Sequence, residues 1–210
     1  MPLPMVHLSI AVRLSAEEGL FPSADFLLGN ISPDAIHMRP GANKQDKERV
    51  HLIGSGDSPR ELLRAFQARF GKAALQPGGF AAGYATHLLT DLLWRQAVID
   101  PFREQLLPGL PDKEVRSLYY HDTDQIDREL YGRVPWRLQA WDGLKAARAA
   151  DFPPFLSAEE IRAWRERTLL WFEEHGSDPN VDPVHISLQR EETFISQAAK
   201  EIGAILPLQS

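Results

Sequence analysis

The sequence predicts an all-α fold, on three observations. Alternating patterns of β-branched residues that would mark strands are nowhere sustained. Two capping boxes, Ser58-Pro59-Arg60-Glu61 and Ser157-Ala158-Glu159-Glu160, stand before periodic apolar stretches. A long apolar run from Phe80 to about Ile99 follows Gly78-Gly79 and stops before Pro101, as a buried helix would.

The elements follow in chain order. Met5, Leu8 and Val12 lie at helical spacing in Pro4 to about Ala16, with Ile10 and Leu14 beside them. Ser23 can cap a short helix through Phe26, Leu27 and Leu28, which Gly29 or Asn30 then breaks. Ser32-Pro33-Asp34 reads as a cap and first turn, with proline at the tolerated first position. Arg39 to Asp57 holds proline, glycine, asparagine and many charges and reads as a long loop, the kind that is usually functional or disordered. The Ser58 box opens a helix to about Phe70, and the apolar helix from Phe80 follows. Further helices are expected over Asp112 to Tyr131, over Trp136 to Ala150, after the Ser157 box, and from Asp182-Pro183 to about Ile202. The expectation is one domain, 1–210, of seven to nine helices. Residues 152–210 form a helical extension packed on the rest through Ile161, Trp164, Leu169 and Trp171.

Composition narrows the chemistry. The 210 residues include no cysteine, so disulfides, thiolate metal sites and thiol nucleophiles are excluded. Any metal must be held by nitrogen and oxygen. The formal charge of -6 argues against a broad nucleic-acid surface without excluding a small phosphate-bearing substrate. No apolar run approaches the ~18 residues of a membrane span. Met1-Pro2-Leu3-Pro4-Met5-Val6-His7 lacks the basic start and cleavage site of a signal peptide, so the expected location is the cytoplasm.

The most informative segment is Gly83-Tyr84-Ala85-Thr86-His87-Leu88-Leu89-Thr90-Asp91. His87 and Asp91 stand four residues apart and share one helix face. Leu88, Leu89, Leu92 and Leu93 around them imply burial, and a buried carboxylate is costly unless paired or bound to a cation. A hydrogen-bonded His–Asp pair in the core would also satisfy that spacing. His7 sits among apolar neighbours in the first helix, where a lone histidine is ordinarily a core residue. Asp34 could be a plain helix-start carboxylate, and His51 a surface histidine closing the polar loop. Together, His7, Asp34, His51, His87 and Asp91 make a nitrogen and oxygen set suited to zinc or another first-row divalent ion. Two ions sharing a carboxylate need about this many ligands, and Asp91 is the natural bridge. His37, one turn after Asp34, and Asp124, in the acidic stretch from Tyr120 to Asp127, are secondary candidates.

The order His7, then Phe26-Leu27-Leu28-Gly29 with Pro33-Asp34, then His51, then Gly83-Tyr84-x-x-His87-x-x-x-Asp91 resembles the zinc-dependent phospholipase C family. The fungal single-strand nucleases are relatives of that family with the same helical fold. The likeness covers roughly the first half of the chain, through Trp94. It implies an all-α bundle holding clustered metal ions and hydrolysing phosphate esters. His7, Asp34, His51, His87 and Asp91 match the ligands of the family's close metal pair. The resemblance further implies that Asp34 acts as general base and that Asp91 bridges the ions.

The chain also departs from that pattern. Secreted members begin the mature chain with a tryptophan that binds metal, whereas this one begins Met1-Pro2. The third metal of those members needs a histidine after the bridging aspartate, and Leu92 to Val98 contains none. His121 with Gln125 fails the spacing of the remaining pair, so the shell for a third ion is incomplete. The likeness is to the shorter, intracellular branch. The expected function is metal-dependent hydrolysis of a small phosphoester by a metal-activated water. The alternative is a helical metal-binding or interaction domain that has lost hydrolysis. Arg39, Lys44, Lys47 and Arg49 are candidate cations for the developing charge, although such a run is more often a solvated loop.

Overall fold

The computed structural model describes residues 2–17, 19–106, 109–175 and 181–206. Met1, compared above with the metal-binding tryptophan, lies outside them. Among the described residues there is no strand, only one isolated bridge between Phe152 and Leu156. The helices are α1 (Pro4–Ala16), α2 (Ala24–Ile31), a 3-10 segment (Ser32–Met38), α3 (Lys44–Val50), α4 (Pro59–Phe70), α5 (Phe80–Trp94), a π-turn (Arg95–Ile99), α6 (Asp100–Leu106), α7 (Asp112–Arg133), α8 (Arg137–Ala146), α9 (Ala158–His175) and α10 (Leu188–Gly203). No described helix is long and apolar enough to cross a membrane.

Local chemistry explains most boundaries. Ser23 accepts the Phe26 N–H, and Ser58 and Glu61 close a reciprocal capping box with Pro59 in the first turn. Gly29 does not break α2, which runs on to Ile31. Its missing side chain serves packing instead. A Cβ on Gly29 would lie 2.0 Å from the Phe80 carbonyl oxygen, and one on Gly83 would lie 2.1 Å from that of Phe26. Helices α2 and α5 therefore meet backbone to backbone, which only glycine permits.

Four further expectations are corrected. The charged stretch from Arg39 to Asp57 contains α3, nucleated by a capping box between Asn43 and Asp46. Pro101 does not end the helical path, because the π-turn lets the chain restart as α6 with proline in its first turn. The helix after Trp136 covers Arg137–Ala146 rather than reaching Ala150. The last helix starts at Leu188 after the Ser187 cap, not at Asp182-Pro183.

One contiguous hydrophobic core includes residues from Met5 in α1 to Leu206 beyond α10. Its centre is α5, where Tyr84, Leu88 and Trp94 are buried. The C-terminal helices close over it. Arg39 holds Glu160 of α9 through two hydrogen bonds of 2.6 and 3.1 Å and donates to the Phe155 carbonyl at 2.7 Å. Asp122, in the middle of α7, accepts the backbone N–H groups of Val184, His185 and Ile186, which pins the approach to α10. The acidic stretch around it lies in the middle of α7, with Asp122 and Asp127 buried.

Candidate metal centre

Four segments bring five side chains to one place. The apolar stripe of α1 buries His7, and the 3-10 segment carries Asp34 inward after Pro33. His51 caps the end of α3, and α5 supplies His87 and Asp91 at four-residue spacing. Asp34, His51 and His87 offer ligand atoms within 4.8 Å of one another, as do His7, His87 and Asp91.

The distances discriminate between a hydrogen-bonded core and a cation site. His51 Nε2 lies 3.4 Å from Asp34 Oδ1 and 3.7 Å from Asp91 Oδ2. His87 Nε2 lies 3.4 Å from Asp91 Oδ2, and His7 Nε2 lies 3.6 Å from Asp91 Oδ1. Hydrogen bonds of this kind centre near ~2.9 Å. Ligands bound to one tetrahedral ion at 2.0–2.1 Å stand about 3.3 Å apart. The observed spacing matches shared coordination better than direct pairing. Accordingly, His7 Nε2, Asp34 Oδ1, His51 Nε2, His87 Nε2 and Asp91 Oδ1 are all buried without a hydrogen-bond partner. Orphaning five buried polar atoms in one place costs on the order of 1–3 kcal/mol each, which a bound cation would offset.

The backbone around the site sets the tautomers. His87 Nδ1 lies 2.8 Å from the Asn30 carbonyl, and His51 Nδ1 lies 3.0 Å from that of Lys47. A carbonyl only accepts, so each Nδ1 carries a proton, and in the neutral ring each Nε2 turns a lone pair inward. The sequence arranges the first contact twice over. Gly29 and Gly83 let α2 approach α5, and Pro33 has no N–H for the carbonyl three residues back, that of Asn30. His7 stacks on His87 with centroids 3.8 Å apart and ring planes 1° apart, an arrangement suited to neutral rings.

Electrostatics point the same way. Burial first, then His87 alongside, pushes His7 well below the ordinary imidazole range, so it is held neutral. Burial acts to raise the Asp34 and Asp91 carboxyls, but the surrounding histidines outweigh it and hold both below their usual range. Burial likewise opposes the charged form of His51, yet the two aspartates outweigh it and raise its pKa. A buried carboxylate, Asp34, and a partly buried one, Asp91, are therefore present whose close ionic partners, among the described residues, are histidines rather than lysine or arginine. Asp91 directs Oδ1 toward His7 and Oδ2 toward His51 and His87, so its carboxylate spans both groups. By distance alone His87 is the residue common to both groups.

The secondary candidates stand apart. His37 Nε2 lies 3.9 Å from Asp34 Oδ1 and leans on Trp164, but it belongs to neither ligand group. Asp124 is also in neither group and instead lines a cavity with Asp127, Trp164 and Thr168. Of the loop cations, Arg39 pairs with Glu160, Arg49 with Asp46 at 2.7 Å and Lys44 with Glu48 at 3.6 Å, while Lys47 stands near His37 and helps lower its pKa. Tyr84 and Trp94 are core residues, donating to the Val50 carbonyl and the Tyr119 hydroxyl. The carbonyls of Asn30 and Lys47 are not legible in the sequence, because backbone groups leave no residue signature; only the Pro33 spacing hints at the first. Comparison with protein-family models, with curated proteins and with solved structures finds no match.

Proposed function

We propose that this chain is a metal-dependent hydrolase of phosphoric esters, a phosphodiesterase of the phospholipase C type, built on a pair of zinc or similar divalent ions. The observation that carries the reading is the convergence of five orphaned donor atoms from four segments at metal-ligand spacing. The ordered resemblance of the first half of the chain to the zinc-dependent phospholipase C family supports it and suggests that fold.

When bound by these residues, divalent ions would polarise phosphoryl oxygens and would lower the pKa of a bound water to about 7. The protein's residues do the rest. His51 and His87 present fixed Nε2 lone pairs, His7 stays neutral beside them, and Asp91 spans the two groups. Asp34 is held ionised by the surrounding histidines, and the family resemblance makes it the residue that orients the attacking water and accepts its proton. Burial of the imidazoles keeps bulk water from competing for them.

The second reading, a metal-binding domain without hydrolysis, is favoured by one observation: Asp124 falls outside both ligand groups, leaving the family's third shell incomplete. A panel of phosphodiesters and phosphomonoesters separates the two. The hydrolase reading expects zinc-dependent turnover of bis(p-nitrophenyl) phosphate that drops about 10²–10⁴-fold in Asp34→Asn. Zinc-loaded protein inert toward the whole panel supports the second reading instead.

A further inference from the structure

A cavity of about 190 Å3 lies between α7, α9 and the start of α1 and is lined by none of the five candidate ligands. Leu3, Pro4, Trp171 and Phe172 give it apolar surface. Its two helical walls differ in chemistry. Trp164, Arg167, Thr168 and Trp171 recur at three- and four-residue steps, so they share one face of α9. That face offers donors. Trp164 Nε1 can only donate, and it is buried without a partner. Arg167 makes no hydrogen bond or ion pair among the described residues. Thr86, Thr123 and Thr193 return their hydroxyls to the carbonyl four residues back, whereas buried Thr168 leaves its Oγ1 unbonded. The α7 wall carries Asp124 and Asp127, one turn apart. Asp127 Oδ1 accepts the Met5 N–H at 2.9 Å, while Oδ2 has no partner. Burial, with Asp124 adding, pushes the Asp127 carboxyl well up despite the Met5 and Val6 N–H groups, the sign of an acid with no cation beside it. Asp124 has a partner of its own, and a carboxylate accepts more than one donor.

We propose that this cavity binds a small apolar α-amino acid as its zwitterion, with the carboxylate on Arg167 and Trp164 Nε1 of α9 and the ammonium on Asp124 of α7. Arg167 and Trp164 require an acceptor, and Asp124 requires a donor. A ligand bearing both charges meets both walls. The planar guanidinium fork of Arg167 matches a carboxylate. Size agrees, since a cavity of about 150 Å3 takes benzene. This one has room for a short hydrocarbon side chain against Trp171 and Phe172. The site is separate from the candidate metal centre, and the inference does not rest on the hydrolase reading.

Calorimetry of the full chain with L-leucine, isocaproate and isoamylamine at neutral pH separates the two charges on one hydrocarbon skeleton. Leucine is expected to bind about ten-fold tighter than either analogue, as the loss of a charge-assisted contact implies. Arg167→Met is expected to weaken leucine and isocaproate about ten-fold and to spare isoamylamine, with Arg167→Lys recovering part of the loss. Asp124→Asn is expected to weaken leucine and isoamylamine to a similar degree and to spare isocaproate. Leucine that does not bind, or an analogue that binds as tightly as leucine, overturns the proposal. So does either variant binding leucine like wild type. The three wild-type affinities decide the matter even where a variant fails to fold.

Discussion

Replacing Gly83 with alanine tests how the fold positions the centre. The added Cβ would sit 2.1 Å from the Phe26 carbonyl oxygen and 2.9 Å from the Asn30 nitrogen. Restoring an ordinary 3.4 Å contact requires α2 and α5 to separate by about 1.3 Å. Neither partner can rotate away, because both are helix backbone. Overpacking of this kind typically costs ~1–3 kcal/mol, and the upper end applies where backbone must move. Alanine's better helix propensity returns up to ~1 kcal/mol, leaving a net loss of about 2 kcal/mol. For a chain of this size that lowers Tm by roughly 4–8 °C. The same separation stretches the 2.8 Å contact between the Asn30 carbonyl and His87 Nδ1 past hydrogen-bond length. Loss of such a supporting contact usually weakens metal binding ~10–100-fold. Gly132 is the internal control: it lies within α7, and a Cβ there meets nothing within 4 Å. Gly132→Ala is expected to stabilise by ~0.5–1 kcal/mol. Denaturant unfolding and zinc titration of the two variants read all of this. Gly83→Ala that melts and binds zinc like wild type refutes the backbone-to-backbone argument.

Asp122→Asn is expected to cost about 2–4 kcal/mol at pH 7, since the carboxylate accepts three backbone N–H groups at 2.6–3.0 Å. Burial opposes ionisation there, but His121 and those N–H groups outweigh it and lower the pKa. The stabilisation is thus fully present above the unfolded value of ~3.9 and fades as pH falls through the lower folded value. Urea titrations that show no narrowing of the gap in acid contradict this. Glu191 has the opposite sign: burial, with Asp127 adding, pushes its carboxyl well up, and both of its oxygens lack hydrogen-bond partners. Folding therefore favours the protonated acid, and stability declines as pH rises above the unfolded value of ~4.3. Glu191→Gln is expected to raise Tm at pH 8 and change little at pH 4, which differential scanning calorimetry checks.

The legible parts of this chain were those with side-chain signatures. The Ser23 and Ser58 caps and the apolar stripe of α5 are local patterns with one physical solution each, and the His87–Asp91 spacing fixes a shared helix face. Helix α3 was hidden because its box, Asn43 with Asp46, lies in a charge-rich stretch without an apolar face. Gly29 looked like a breaker because its use, close contact with the Phe80 carbonyl, depends on a helix 50 residues away. Asp182-Pro183 mimicked a helix start, yet Asp122 reaches across to hold that segment non-helical before Ser187. The five candidate ligands were readable as a set. The partners that orient them were not, since carbonyls of Asn30 and Lys47 could come from any residue.

The most direct test is a zinc titration of protein stripped with chelator, followed by calorimetry and by melting temperature. The centre described here predicts saturation at two ions per chain with a rise in Tm, because a ligand that binds only the folded state stabilises it. It predicts loss of uptake in His87→Ala and Asp91→Ala. A wild-type protein showing no saturable uptake, with its Tm unmoved by zinc, cobalt or manganese, contradicts the account.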